Sequence, residues 1–86
     1  MAEVIQQYTP QYRDRSGATY LVRACGEANA GGTWEGWLEF HPVDGSGAVL
    51  RTDRETTQPD RTALEYWASG LEPLYFEGAF ARAQNS

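Results

Sequence analysis

The most regular pattern of hydrophobic and polar positions in the chain lies between residues 33 and 41. In an extended strand, three apolar residues and a glycine would share one face: Trp34, Gly36, Leu38 and Phe40. Charged and titratable residues would share the opposite face: Glu35, Glu39 and His41. This alternation predicts an antiparallel strand that is buried on one side.

Two neighbouring segments are predicted to pair with this strand. Residues 19–25 are rich in aromatic and branched side chains, and Gly26 ends the run. Residues 48–52 form a shorter run that follows the turn-forming sequence of residues 44–47. Together the three segments predict an antiparallel meander, with a loop of small residues between the first two strands.

A helix is predicted after the meander. Four apolar residues repeat at the i, i+3, i+4, i+7 spacing of a single helix face: Leu64, Trp67, Ala68 and Leu71. Thr57 is the expected N-cap, since Pro59 suits the first turn and Asp60 lies three residues after Thr57. Gly70 is the expected end of the helix.

Alternation with a period of two returns after Pro73. Leu74, Phe76 and Phe80 would share one face of an extended segment. Tyr75 would lie on the other face. This pattern predicts a final strand that ends near residue 81.

The predicted fold is therefore α+β, with a small, strongly curled antiparallel sheet. Its order is a three-strand meander, one helix packed on the sheet, and a final strand. Gly36 and Gly78 interrupt the inward rows of two strands, which suits a bent sheet or an open barrel. The expected core unites the inward residues of these elements: Trp34, Leu38, Phe40, Leu64, Trp67, Phe76 and Phe80.

The length of the chain limits its expected domain organisation. Its 86 residues suffice for one hydrophobic core. Residues 19–83 are predicted to form a single α+β domain, and residues 84–86 a frayed tail. Residues 1–18 are poorly patterned because Pro10 would interrupt a helix or a central strand, so they predict only a short edge strand.

Charge and cysteine content narrow the expected partners and location. Twelve acidic residues against seven arginines, with no lysine, give a formal charge of −5. Nucleic acids and anionic membranes attract positively charged proteins, so neither is a favoured partner. The chain has no apolar run of bilayer length, and Cys25, its only cysteine, cannot form an intramolecular disulfide. These features predict a cytoplasmic protein.

No catalytic motif accompanies the two most reactive side chains. Cys25 is the only thiol and His41 the only imidazole, and neither has a nucleophile motif or metal-ligand spacing around it. A lone cysteine within a strand is typically a small buried hydrophobic residue. The sequence therefore predicts no enzymatic activity, no catalytic residue, no metal site and no cofactor.

An aromatic residue interrupts the charged face of the strand at residues 33–41. Trp37 on that face, and Tyr75 on the outward face of the final strand, predict a contact with a protein partner or a homodimer. The candidate contact surface comprises Trp37, Tyr75, Glu35, Glu39 and His41. The alternative is that the N-terminal segment folds back, so that Tyr8 or Tyr12 covers Trp37.

A nucleic-acid or nucleotide binder is the second functional hypothesis. Such a protein would stack bases on exposed aromatic rings and use a candidate anion site at Arg51, Arg54 and Arg61. Acidic residues interleaved with these arginines are expected to pair with them: Asp53, Glu55 and Asp60. This pairing and the net negative charge make the second hypothesis the weaker one.

Overall fold

The computed structural model describes residues 1–85, which contain five strands and two helices. The strands are β1 (Glu3–Arg13), β2 (Thr19–Ala28), β3 (Trp34–Pro42), β4 (Leu50–Arg51) and β5 (Thr56–Gln58). The helices are α1 (Arg61–Ser69) and α2 (Pro73–Gln84). Of the tail expected at 84–86, Gln84 ends α2 and Asn85 caps it, whereas Ser86 lies outside the described residues.

The strands form one antiparallel sheet around β3. The order is β1-β2-β3-β4, and β5 pairs with β3 along the same edge as β4. β2 pairs with β3 along the whole of β3, so that Cys25 lies opposite Trp37 and Arg23 opposite Glu39. The predicted α+β class with an antiparallel sheet is confirmed. The sheet does not close into a barrel, because β1 and β4 are unpaired edges.

β1 is an edge strand of eleven residues, longer than the short strand expected in this region. Its register with β2 shifts twice, between Val4 and Gln6 and between Gln7 and Gln11. Pro10 lies within the second irregularity, where its missing amide hydrogen interrupts no regular ladder. An edge strand with irregular pairing therefore accommodates the proline.

The tyrosines of β1 lie on the helix side of the sheet. The Tyr8 hydroxyl donates to the Ala68 carbonyl oxygen at 2.6 Å, and its ring centroid lies 4.5 Å from that of Phe76. Tyr12 packs against three phenylalanine rings: Phe40, Phe76 and Phe80. The N-terminal segment thus completes the core, and it does not fold over Trp37 as the alternative proposed.

The N-cap of α1 lies three residues later in the chain than expected. Thr57 lies in β5, opposite Glu35 of β3, and the strand continues to Gln58, so no helix begins after Thr57. Asp60 is the N-cap, and its carboxylate accepts a hydrogen bond from the Ala63 amide at 2.8 Å. Gly70 ends the helix as predicted.

The predicted final strand is wrong, because residues 73–84 form helix α2. Its buried residues recur at helical spacing: Phe76, Ala79, Phe80 and Ala83. Phe76 and Phe80 are four residues apart, a separation that fits one face of a strand and one face of a helix. Alanine has the highest helix propensity and Pro73 suits the first turn, so the helix is the better solution for this segment.

Both helices cover the same face of the sheet. Five of the seven expected core residues are buried there: Leu38, Phe40, Leu64, Phe76 and Phe80. Trp34 and Trp67 are only half-buried, and the Arg61 guanidinium lies over the Trp34 ring. Trp37, on the opposite face of the sheet, is the largest fully buried side chain of the described residues.

Candidate functional site

The face of the sheet that points away from the helices, termed here the open sheet face, carries Trp37. Its side chain is 1% exposed, although no helix lies on this face. The Arg51 guanidinium of β4 lies 4.0 Å from the centroid of the Trp37 ring, a cation–π arrangement that covers the indole. The indole Nε1–H donates to Glu39 at 2.8 Å. Trp37 is therefore covered, and it cannot be the exposed centre of a contact surface.

Glu39 is the hub of the open sheet face. Besides Trp37, its carboxylate is hydrogen-bonded to His41 Nε2 at 2.9 Å and to the Cys25 thiol. Burial raises the pKa of Glu39, but these hydrogen bonds favour the charged form and hold the pKa below its usual value. The carboxylate is thus ionised at neutral pH, and each of its two oxygens takes part in a hydrogen bond, one with Trp37 and one with His41.

Cys25 and His41 each contact Glu39, and no hydrogen bond between the two is found among the described residues. Cys25 is 3% exposed, and burial together with the adjacent Glu39 carboxylate raises the pKa of its thiol to about 12. Glu39 contacts both the thiol and the imidazole and thereby lies between them. A protonated, buried thiol is a poor nucleophile, which matches its expected role as a small buried residue.

Arg23 and Arg51 flank Glu39 on the open sheet face. Both residues are Cα partners of Glu39, Arg23 from β2 and Arg51 from β4. Neither guanidinium makes an ion pair with a carboxylate within residues 1–85. Arg23 Nε is also buried without a hydrogen-bond partner. Residues two apart in a strand share a face, so the sequence could have placed Arg23 on the same face as Cys25. No other sequence signal marks Arg23 as part of this site.

Tyr75 is on the other side of the molecule from Trp37. It lies in α2, where its hydroxyl donates to Glu55, and Arg82 Nη2 donates to both Glu55 oxygens at 2.8 and 2.9 Å. Burial and the Glu55 carboxylate raise the pKa of Tyr75 to about 12. Because residues 73–84 are helical, Tyr75 does not join Trp37, Glu35, Glu39 and His41, and the predicted contact surface is not assembled.

The outward side of α2 carries an exposed leucine beside two small residues, and we call it the α2 outer surface. It comprises Leu74, Gly78 and Ala81, which recur at helical spacing opposite the buried residues of the helix. Leu74 is 77% exposed. A cleft of about 380 Å³ adjoins it, lined by Gly70, Leu71, Glu72, Leu74 and Tyr75. A helical interpretation of residues 73–84 would have revealed this surface.

The three arginines of the candidate anion site do not converge. Arg51 covers Trp37 on the open sheet face, whereas Arg61 lies on the helix side, over Trp34. Arg61 pairs with Glu3 at 3.0 Å and with Glu65 in α1. Arg54 is exposed in the loop between β4 and β5.

The acidic residues that were expected to neutralise these arginines have other roles. Glu55 binds Arg82 and Tyr75, and Asp60 caps α1. Asp53 is exposed. The predicted pairing within this loop is therefore wrong, because both carboxylates are used to hold the helices.

Comparisons with known proteins do not add a function. No protein-family model, curated protein or solved structure matches the chain. Within the described part of the chain, no group of three or more His, Cys, Asp and Glu side chains could hold a metal ion. Neither α1 nor α2 is long and apolar enough to cross a membrane.

Proposed function

We propose that the chain is a non-enzymatic protein-interaction module that binds a partner through the α2 outer surface. The observation that carries the proposal is Leu74, which is 77% exposed on a helix whose opposite side is buried in the core. Burying an aliphatic side chain of this size in a partner contributes about 1.5–3 kcal/mol. Leu74 thus supplies an apolar anchor at no cost to the fold.

The composition of α2 supports contact on both of its sides. Helices that are apolar around most of their circumference are typically covered on all sides. In α2 the polar side chains are few: Glu77, Arg82 and Gln84. Gly78 and Ala81 are small, so a partner helix or strand can approach the backbone closely beside Leu74.

Charge favours a basic partner over a second copy of the chain. Glu72 lines the cleft beside Leu74, and Glu77 lies on the exposed side of α2. Neither carboxylate makes an ion pair in the part of the chain that the structure describes. A homodimer would bring these like charges together, in a chain of formal charge −5. We therefore propose a partner segment with a large apolar side chain flanked by lysine or arginine.

The state of the single thiol supports contact rather than catalysis. The raised pKa of Cys25 keeps the thiol protonated at neutral pH. A reduced, buried cysteine without a disulfide partner is also compatible with the cytoplasm, which we include in the proposal.

Selection from a displayed library of helical peptides tests the proposed function. We expect enriched peptides to carry apolar anchors flanked by basic residues, and to lose binding to the variant Leu74→Glu. Val43→Glu is the matched control, because Val43 is also an exposed aliphatic residue, at 49%, but lies in the loop after β3. Peptides that bind equally to both variants, or that carry acidic flanks, would contradict the proposal.

A further inference from the structure

We infer that the open sheet face binds a small oxyanion, phosphate or carboxylate, between Arg23 and Arg51. The inference rests on two guanidinium groups on one face of the sheet that have no carboxylate partner within residues 1–85. It is independent of the α2 outer surface, which lies on the other side of the sheet.

The sheet register brings the two arginines close together. Both are Cα partners of Glu39, one on each side of β3, so their Cα atoms lie about 10 Å apart across two strand spacings. The Arg51 guanidinium lies on the indole of Trp37, whose cross-strand partner is Cys25, and alternation along β2 places Arg23 on the same face as Cys25. The two arginines therefore lie on one face of the sheet, on either side of Glu39.

Glu39, the carboxylate nearest to the two arginines, is hydrogen-bonded to other residues. Glu39 lies between them, but its carboxylate accepts hydrogen bonds from Trp37, His41 and Cys25. No ion pair joins it to either arginine. Arg23 Nε–H is buried and has no acceptor among the described residues. Buried donors are nearly always satisfied in folded proteins by protein groups, ordered water or ions, so the Nε–H requires an acceptor that the described residues do not supply.

The geometry and charge of the site define the class of ligand. One face of the Arg51 guanidinium lies on the Trp37 ring, while the residue as a whole is exposed, so N–H groups remain accessible to a ligand. The carboxylate nearest to the two guanidinium groups is Glu39, whereas Glu27 and Glu35, on the same face, lie four residues from Arg23 and Glu39 along β2 and β3. Planar guanidinium groups bind the oxygens of phosphate and carboxylate through paired, charge-assisted hydrogen bonds.

Titration followed by ¹H–¹⁵N NMR tests the site in the intact chain. The probes are inorganic phosphate and succinate, each added at constant ionic strength against chloride. We expect saturable shifts of the Trp37 indole N–H and the Arg23 Nε–H, and the tighter of the two probes identifies the oxyanion. Arg23→Gln and Arg51→Gln should each weaken binding about tenfold or more, as expected for the loss of charge-assisted contacts.

Arg54→Gln is the matched control, because it removes the same charge from an exposed residue of the neighbouring loop. Arg23→Lys keeps the charge but loses the planar guanidinium. If the paired N–H donors of Arg23 bind the oxyanion, this variant should bind it more weakly than the native chain. The dispersion of the amide spectrum verifies that each variant is folded. The inference fails if neither probe gives saturable shifts, or if Arg54→Gln weakens binding as much as Arg51→Gln.

Discussion

Leu64 of α1 lies directly over Gly36 of β3. A β-carbon at Gly36 would be 2.7 Å from Leu64 Cδ1, whereas β-carbons in proteins essentially never lie within 3.0 Å of such an atom. Gly26, the cross-strand partner of Gly36, is covered by the same leucine. Leu64 is fully buried as a result. The paired glycines form a notch in the sheet, and this notch determines how closely α1 packs.

The notch predicts that Gly36→Ala destabilises the fold. The added methyl group would also meet Thr56 and Trp67 at 3.2 Å, and Leu64 is itself fully buried and packed against Gly26. We expect a loss of about 1–3 kcal/mol in the free energy of unfolding, the usual cost of overpacking a core. Urea denaturation measures it. Gly31→Ala is the control, since nothing lies within 4 Å of a β-carbon there, and it should change stability far less. Equal effects of the two substitutions would mean that α1 does not rest on Gly36.

Burial of Trp37 predicts a structural role for this residue. Trp37→Ala should lower the free energy of unfolding by about 3–5 kcal/mol, because it removes a fully buried indole. Trp34→Ala is the comparison, and its half-buried ring should cost less. Sedimentation of the native chain at high concentration should show no association that depends on Trp37. A Trp37 variant that keeps native stability but changes the oligomeric state would support the contact surface predicted from the sequence and contradict the structural role of Trp37.

Three raised pKa values predict that stability falls at alkaline pH. Burial raises the pKa of Cys25 from 9.0 to about 12 and that of Tyr8 from 10.0 to about 12, and Tyr75 is raised to about 12 as well. The unfolded chain loses these protons at lower pH than the folded chain. Stability should therefore be unaffected below about pH 9 and decline progressively as pH rises toward 12.

Urea denaturation at several pH values between about pH 8 and pH 11 measures this decline. Cys25→Ala removes the thiol, so its stability should decline less than that of the native chain over the lower part of the range. Alkylation of Cys25 should also be slow in the folded chain and fast in denaturant. Equal rates of alkylation in the folded and the denatured chain would show that the thiol is not buried and that its pKa is not raised.

The candidate sites show where local patterns lose their predictive power. The alternation of residues 33–41 correctly placed Leu38 and Phe40 in the core and Trp37 on the opposite face. It could not show that Trp37 is covered, because the cover is Arg51, fourteen positions later in the sequence and brought alongside by the pairing of β4 with β3. The position of Arg23 beside Glu39 likewise depends on the register between two strands.

The sequence by itself determined the α+β class, the strand at residues 33–41, the apolar face of α1 and its end at Gly70. Each of these depends on the spacing of neighbouring side chains or on one residue's backbone preference, which are local properties. Phe76 and Phe80 suit a strand and a helix equally, and Pro73 with the alanines at 79 and 83 is the local signal that favours the helix at residues 73–84. Only the tertiary structure decided the role of Tyr8 and Tyr12, because contacts with residues some sixty positions away give them their place in the core. Strand pairing, which has no signature in local periodicity, positions Arg23 and Arg51 on either side of Glu39, whereas the α2 outer surface follows from the helical spacing of residues 73–84.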